Sequence, residues 1–336
     1  MRAEALCRAA AASYISSRVK NHTFIDYATE GYVALVGLII LCLHNRAAPY
    51  WMPLLAAHVV CLALIYALLR VHAAHPHHRV IDFLRHFYPV LLYTALYRET
   101  AALNQLPSPG FLDTYFIRLE ARVFGMQPSL VFMDALPYLP VSELAYAAYF
   151  SYYVMIAGIG LTLFFRNRRQ FFHFLSVISF VFYVCYLVYI FTPVIGPRVF
   201  FREIVDFPLP PDLQPTPPPT FPAVIANGPF YQIMHWIYRV FESPGAAFPS
   251  SHVAVAFSTV FFSFRYLRPI RWLHLGVAVL LSLSTIYCRY HYAVDVLAGA
   301  LATALLVPVG NLLYLRFRQA DRSEPPPAGT APAPPS

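Results

Sequence analysis

Apolar stretches recur at residues 31–43, 51–69, 81–97, 141–165, 171–191, 250–266, 272–287 and 293–315, and nothing else in the chain constrains its fold as strongly. A helix that crosses a bilayer needs about 20 predominantly apolar residues, within a range of about 17–25. The first stretch is short for a span, and the third carries Asp82, Arg85 and His86 near its start. The reading is therefore an all-α, polytopic membrane bundle of six to eight transmembrane helices. Composition agrees: 59% of the 336 residues are hydrophobic and 12% are charged, against about 25% charged in ordinary soluble domains. Cys7, Cys42, Cys61, Cys185 and Cys288 are scattered, with no disulfide framework or metal motif.

The net charge of +8 would suggest nucleic acid in a soluble protein. In a membrane chain it reads as the excess of cations in cytoplasmic loops, and no nucleic-acid partner is predicted. Arg166, Arg168 and Arg169 fall between the fourth and fifth stretches, Arg265, Arg268 and Arg271 between the sixth and seventh, and Arg316, Arg318 and Arg322 after the last. Placing all three clusters in the cytoplasm gives alternating spans and puts both termini inside. The loop 192–248, the start of the sixth stretch and the link between the seventh and eighth then face the non-cytoplasmic side. No cleaved signal peptide is read before residue 30. Arginine richness, Lys20 as the single lysine and the lack of a eukaryotic sorting signal point to a bacterial inner membrane.

The domain reading follows: a cytoplasmic segment 1–30, membrane helices plus an interfacial helix over 31–140, a catalytic membrane domain over 141–318, and a disordered Pro-rich tail 319–336. Residues 113–132 (DTYFIRLEARVFGMQPSLVF) mix charge and aromatics at helical spacing, which predicts a helix along the outer interface. The run PLPPDLQPTPPPTFP (208–222) predicts extended chain crossing the outer surface and covering a site.

Polar islands stand at the ends of these stretches. TPVIGPRVFFR (192–202) holds Arg198 behind a Gly-Pro bend. AAFPSSHVAVAF (246–257) opens the sixth stretch, with Pro249 suited to a first helical position and the next turn, including Ser250 and Ser251, offering donors to an anion beside His252. CRYHYAVD (288–295) opens the eighth, and its His291 and Asp295 are spaced to share a helix face, the carboxylate holding one ring nitrogen and freeing the other. Taken singly, each has a plainer reading: Arg198 snorkelling to headgroups, His252 anchoring a helix end, His291 and Asp295 forming a structural pair. Together they converge. One helix inward and one back separate His252 from His291, so both return to the face where Arg198 emerges and where Arg289 precedes His291. Histidines, an aspartate and arginines at one membrane surface describe a phosphoester site.

FPSSH (248–252) and RYHYAVDVLAG (289–299) resemble the second and third signature motifs of the phosphatidic acid phosphatase type 2 superfamily, and the GPR ending at Arg198 resembles a reduced first motif. The resemblance runs from about residue 183 to 313. It implies His291 as a nucleophile forming phosphohistidine, Asp295 as its orienting partner and His252 as general acid. Arg198, Ser250 and Ser251, with Arg289, would bind phosphoryl oxygens. It implies no cofactor and no metal. Phe191 stands where the phosphatase branch has lysine, and Thr285 where it has arginine. The reduced first motif and the compact YHYxVD form are more similar to the inositol-phosphorylceramide synthase branch, which transfers a phospho-headgroup between lipids.

The implied substrate is a phospholipid or prenyl phosphate in the bilayer, and the second step separates two outcomes. Water gives a phosphatase, whereas a lipid or polyol hydroxyl gives a transferase. Tyr97, Arg98, Glu99 and Glu143 end or begin spans on the same side and are candidates for hydroxyl recognition, or for helix-end anchoring. A non-catalytic transporter or scramblase would instead place ionisable residues at mid-span.

Overall fold

The computed structural model describes residues 22–45, 49–107, 109–201 and 208–323, without the side chains of 318–323. The readings for 1–21 and for the tail beyond 323 lie outside these residues. Among the described residues, six helices are long and apolar enough to cross a membrane: Phe24–Leu43 (α1), Trp51–Ala74 (α2), Leu139–Arg166 (α6), Arg168–Phe191 (α7), the stretch Arg268–Tyr287 that contains α11, and the Ala293–Phe317 part of α12. Two more helices, Arg79–Leu103 (α3) and Ser251–Tyr266 (α10), match the remaining apolar stretches, the first more polar and the second only 16 residues long. The chain is an all-α integral membrane bundle. Shorter helices fill the connections: Asp113–Phe124 (α4), Pro128–Ala135 (α5), Ala223–Ala226 (α8) and Pro229–Phe241 (α9). α11 itself is Arg271–Tyr287, and α12 continues to Ser323.

α7 is the centre. It is the most buried span and packs against α1, α3, α6, α10 and α12, whereas α2 is peripheral. Its core face is largely aromatic, with Tyr183 stacked on Tyr32 of α1 at 4.8 Å and Phe174 edge-on to Phe262 of α10 at 5.4 Å. At one end of the bundle, His173 of α7 bonds Tyr266 of α10 (2.7 Å) and Asn311 of α12 (2.5 Å). The arginine-bearing junctions α6–α7 and α10–α11 lie at this end. The polar islands, at the end of α7, the start of α10 and the α11–α12 turn, therefore gather at the other.

Two local expectations are corrected. α1 starts at Phe24, well before the apolar run at residue 31, because its polar first turn is paired inside the bundle. Asp26 accepts from Arg85 Nη2 (2.6 Å) and Tyr88 Oη (2.7 Å) of α3, which also explains the polar start of that span. The helix read over 113–132 is two helices, since Gly125 takes φ +70° and ends α4. Beyond the Pro-rich run, the loop 192–248 also forms α9, packed on α6 and capped by Glu143, whose carboxylate accepts from Phe230 N (2.9 Å) and Tyr231 N (3.2 Å).

Asp26→Ala leaves Arg85 buried without its counter-charge and should cost about 3–5 kcal/mol. The drop is measurable as thermal unfolding in detergent. The double replacement Asp26→Leu with Arg85→Met should recover most of the loss, because removing both charges removes the desolvation cost with them.

Candidate active site

The islands are stitched together through the backbone. After α7 the chain turns at Gly196, whose φ of +100° favours glycine and whose added Cβ would lie 2.8 Å from the Tyr290 carbonyl oxygen. A parallel bridge joins Val194 to Ala246, with Val194 N donating to Gly245 O (3.2 Å) and Ala247 N to Val194 O (2.9 Å). This places the Arg198 loop beside the start of α10. The Tyr189 hydroxyl sits between Pro249 O, to which it donates (3.0 Å), and Ser251 N, from which it accepts (3.2 Å). Ser250 N donates to Asp295 O (3.1 Å), and an added Cβ at Gly299 would lie 2.5 Å from Ser250 O. α10 and α12 thus meet backbone to backbone at their N-termini. Thr285 O receives both Tyr290 N and His291 N (3.1 Å each), which shapes the turn that presents the histidine.

His252 Nδ1 and His291 Nε2 face each other at 3.3 Å. Behind His291, Nδ1 lies 3.5 Å from Asp295 Oδ2, and that oxygen also accepts from Tyr292 N at 2.9 Å. His291 is in the turn just before α12 rather than on the helix, so the pair is joined across a helix start. Burial holds the His291 imidazole neutral, moving its pKa down to about 4, with the Ala247 backbone opposing the shift. His252 Nε2 is 3.3 Å from Tyr149 Oη, which makes a short hydrogen bond to Tyr238 Oη. Arg198 Nη1 donates to both Glu242 oxygens (3.1 and 3.0 Å), its guanidinium over the rings of Tyr238 and Tyr290. From His252 and Ser251 a cavity of about 540 Å³ runs between α3, α6, α7 and α9, walled mainly by aromatic side chains such as Tyr93, Tyr152, Tyr186 and Phe182.

Other predicted residues are placed differently. Arg289, at φ +63°, directs its guanidinium to Asp134 (2.5 Å), Leu130 O (3.4 Å) and Thr220 O (3.2 Å), and it lies over Phe201. None of these partners belongs to the histidine pair: Arg289 braces α5 and the Pro-rich segment. Three of the amides expected to await an anion are occupied, since Ser250 N and Ser251 N are bonded as above and Val253 N donates to Ser250 Oγ (3.4 Å). The start of α10 is buried, and these three donors are satisfied within the protein. Pro249 precedes the cap residue Ser250 instead of opening the helix. Ser251 lines the cavity beside His252. Of the hydroxyl-recognition candidates, only Tyr97 lines the cavity; Glu143 caps α9, Glu99 faces His58 (3.5 Å) and Arg98 is exposed.

Sequence reasoning missed the acidic face of α4. Asp113 Oδ2 accepts from Ile195 N (2.9 Å), while Oδ1 accepts from Gly196 N (2.8 Å) and Tyr292 Oη (3.0 Å). Glu120 Oε1 accepts from Ala293 N (2.5 Å) and Val294 N (3.4 Å), the first amides of α12. Burial raises Asp113 to about 6 and Glu120 to about 7, against the pull of these hydrogen bonds. Between them Phe116 and Ile117 pack on Val194, Ala247 and Tyr292. Asp113, Phe116, Ile117 and Glu120 share one helical face, so a carboxylate at each end of an apolar stripe was the available signal.

The family model described as PAP2 superfamily matches residues 114–309, from α4 into α12. The chain belongs to the PAP2 superfamily. No curated protein and no solved structure gives a significant match. PAP2 membership is that of a phosphatase-type membrane enzyme, and the matched span holds His252, His291, Asp295 and Arg198. The helices α1 to α3 precede it, yet α3 supplies one wall of the cavity.

Asp113→Ala leaves buried amides and a tyrosine hydroxyl without an acceptor, a loss of about 1–3 kcal/mol for each group. Thermal unfolding should fall accordingly, and backbone hydrogen exchange should rise at Ile195 and Gly196. Unchanged exchange there would show that Asp113 does not hold this loop.

Proposed function

We propose that this PAP2 superfamily enzyme cleaves a lipid phosphoester through a phosphohistidine at His291 and passes the phospho-headgroup to a hydroxyl acceptor. The observation that carries the reading is the opposed pair His252 Nδ1 and His291 Nε2, backed by Asp295 and opening on an aromatic cavity. Asp295, 3.5 Å from Nδ1 of His291, takes the proton of that nitrogen as its partner in the reaction, so the lone pair lies on Nε2, the atom that faces His252. The phosphoryl group of the substrate enters beside the two rings. His291 Nε2 attacks phosphorus as the bond to the leaving oxygen breaks, and His252, entering the step as imidazolium, gives that oxygen its Nδ1 proton and is left neutral. In the second step an acceptor hydroxyl attacks phosphorus, the P–N bond breaks, and the hydroxyl proton returns to His252. Tyr149, at His252 Nε2, accepts the proton of that nitrogen, so that the proton transferred is the one on Nδ1. Arg198 and Ser251 hold phosphoryl oxygens, with Ser250 shaping the turn that carries His252.

The donor in this reading is a phospholipid or prenyl phosphate whose apolar chain lies in the aromatic cavity. Transfer is favoured over hydrolysis by the similarity of the reduced first motif and YHYxVD to the inositol-phosphorylceramide synthase branch. The site end faces the non-cytoplasmic side of a bacterial inner membrane and both termini are cytoplasmic, by the arginine distribution. Transport is disfavoured because the clearest ionisable cluster lies at one end of the bundle.

The test pairs wild type with His291→Ala in detergent. Each is given phosphatidic acid, prenyl diphosphate and glycerophospholipids, with or without inositol, ceramide and diacylglycerol, and products are followed by mass spectrometry. A new headgroup-bearing lipid should form and fall more than about a thousand-fold in His291→Ala. Free phosphate alone would make the protein a phosphatase, and equal activity in both would end the catalytic reading.

The pH dependence follows from burial. His291, held at about 4, stays a neutral nucleophile over the whole physiological range, so the acid limb of kcat/KM due to it should lie near pH 4. An imidazole left in water would put that limb near about 6.5. Stability has a matching sign. The depressed folded value means the unfolded chain binds more protons below about pH 6.5, so this group's contribution is complete above that pH and is lost as pH falls towards 4.

A further inference from the structure

We infer that the arginine-bearing end of the bundle, opposite the histidine pair, holds a second binding site: a basic pocket between α7, α10 and α12 that takes the phosphate group of an anionic ligand. The pocket has a volume of about 190 Å³, and none of its lining residues belongs to the aromatic cavity. Arg169 and Gln170 enter it from the first turn of α7, Arg265 and Tyr266 from the end of α10, and Tyr314 from α12.

The floor of the pocket is a buried polar chain across three helices. Asn311 spends an amide hydrogen on Val307 O (2.7 Å), so its Oδ1 is free to accept, and His173 Nε2 donates to it (2.5 Å). His173, only 3% exposed, lines the pocket, lies stacked on Tyr314 at 4.2 Å, and through Nδ1 meets the Tyr266 hydroxyl (2.7 Å). Tyr266 Oη then accepts from Arg265 Nε (3.2 Å). Asn311, His173 and Tyr266 thus end by holding a guanidinium at the pocket. On the other wall, Asn167 Oδ1 caps Arg169 N (3.1 Å) and Gln170 N (3.2 Å), which fixes the first turn of α7 and sets the positive end of its dipole beside the same space.

Single arginines at this end of a membrane protein need no ligand, because cytoplasmic loops collect them. Here two guanidiniums and a carboxamide converge on one concavity. Among the described residues no carboxylate lines it, and neither Arg169 nor Arg265 is in an ion pair, whereas the neighbouring Arg168 takes Asp82 at 3.5 Å. Arginine's planar fork matches a pair of phosphate oxygens. Basic pockets between spans at a membrane face hold anionic phospholipid headgroups. Leu315 forms an apolar lip, and Leu312 and Leu305, both exposed, continue it along α12 as a ridge on which an acyl chain can lie. The ligand chemistry is a phosphate group, which a phospholipid headgroup and free phosphate both supply. Because α10 carries Arg265 at one end and the His252 turn at the other, a ligand here holds the far end of the helix that presents His252.

Hydrogen exchange read by mass spectrometry on the full chain in neutral detergent reports on this pocket separately from the histidine pair. The probes are inorganic phosphate, dioctanoyl phosphatidic acid and dioctanoyl glycerol, which has the same chains and no phosphate. Peptides covering 166–173 and 263–268 should gain protection with phosphatidic acid and none with dioctanoyl glycerol. The concentration giving half of that protection should rise at least about tenfold for each arginine replaced in Arg169→Gln and Arg265→Gln. Replacing both by lysine keeps the charge, loses the fork and should fall between. Protection by phosphatidic acid alone assigns the site to a lipid headgroup, and protection by inorganic phosphate as well assigns it to phosphate from either source. The inference is overturned if neither phosphate probe protects these peptides, if dioctanoyl glycerol protects them equally, or if the arginine variants respond as wild type does. His291→Ala should keep the protection whatever becomes of its turnover; protection that disappears with His291 would place the ligand at the histidine pair and overturn the second site.

Discussion

The buried carboxylate of Asp113 is the contact on which the arrangement of this end of the bundle depends. It takes the amides of Ile195 and Gly196 from the loop that carries Arg198, and the hydroxyl of Tyr292 from the turn that carries His291. Two segments nearly a hundred residues apart are thereby fixed to one helix. Its neighbour on the same face, Glu120, closes the start of α12 by accepting from Ala293 N and Val294 N. Helix starts carry unpaired amides, and carboxylates near them are favoured by the helix dipole. Placing such a start inside the protein is possible only with partners of this kind.

The same economy governs the rest of the site. His291 is buried and His252 half-buried, with Tyr149 Oη 3.3 Å from His252 on one side and Asp295 3.5 Å from His291 on the other. Backbone contacts set the spacing, with Gly196 against Tyr290 and Gly299 against Ser250 at distances no larger residue permits. The walls of the cavity are mainly aromatic, and apolar surroundings strengthen charge interactions.

Much of this was legible in the sequence because lipid imposes simple rules. Apolar runs of the right length gave the spans, and the arginine clusters gave their alternating direction, which is why the separate islands could be assigned to one end. That His252, His291 and Asp295 would meet was legible from spacing and from motif resemblance. What was hidden depended on long-range partners. Nothing local shows that Asp26 is matched by Arg85, or that Arg289 would be taken by Asp134 and so turn from the histidines it adjoins in sequence. The donors at the start of α10 looked free because their acceptors, Asp295 O and Tyr189 Oη, lie on other helices. Glu242 sits in a loop whose helix α9 is too short and too surface-like to announce its partner. The stripe from Asp113 to Glu120 was visible as helical periodicity, and its inward direction was not.

The central claim is that His291 carries phosphorus during the reaction. The most direct measurement is to incubate the protein with donor lipid labelled in its phosphate, quench in alkali to preserve phosphoramidate, and map the label by peptide analysis. The proposed mechanism predicts an alkali-stable, acid-labile adduct on the peptide containing His291, accumulating when the acceptor is withheld and discharged when it is added. Label on another residue, or turnover without any protein-bound phosphorus under these conditions, would contradict it.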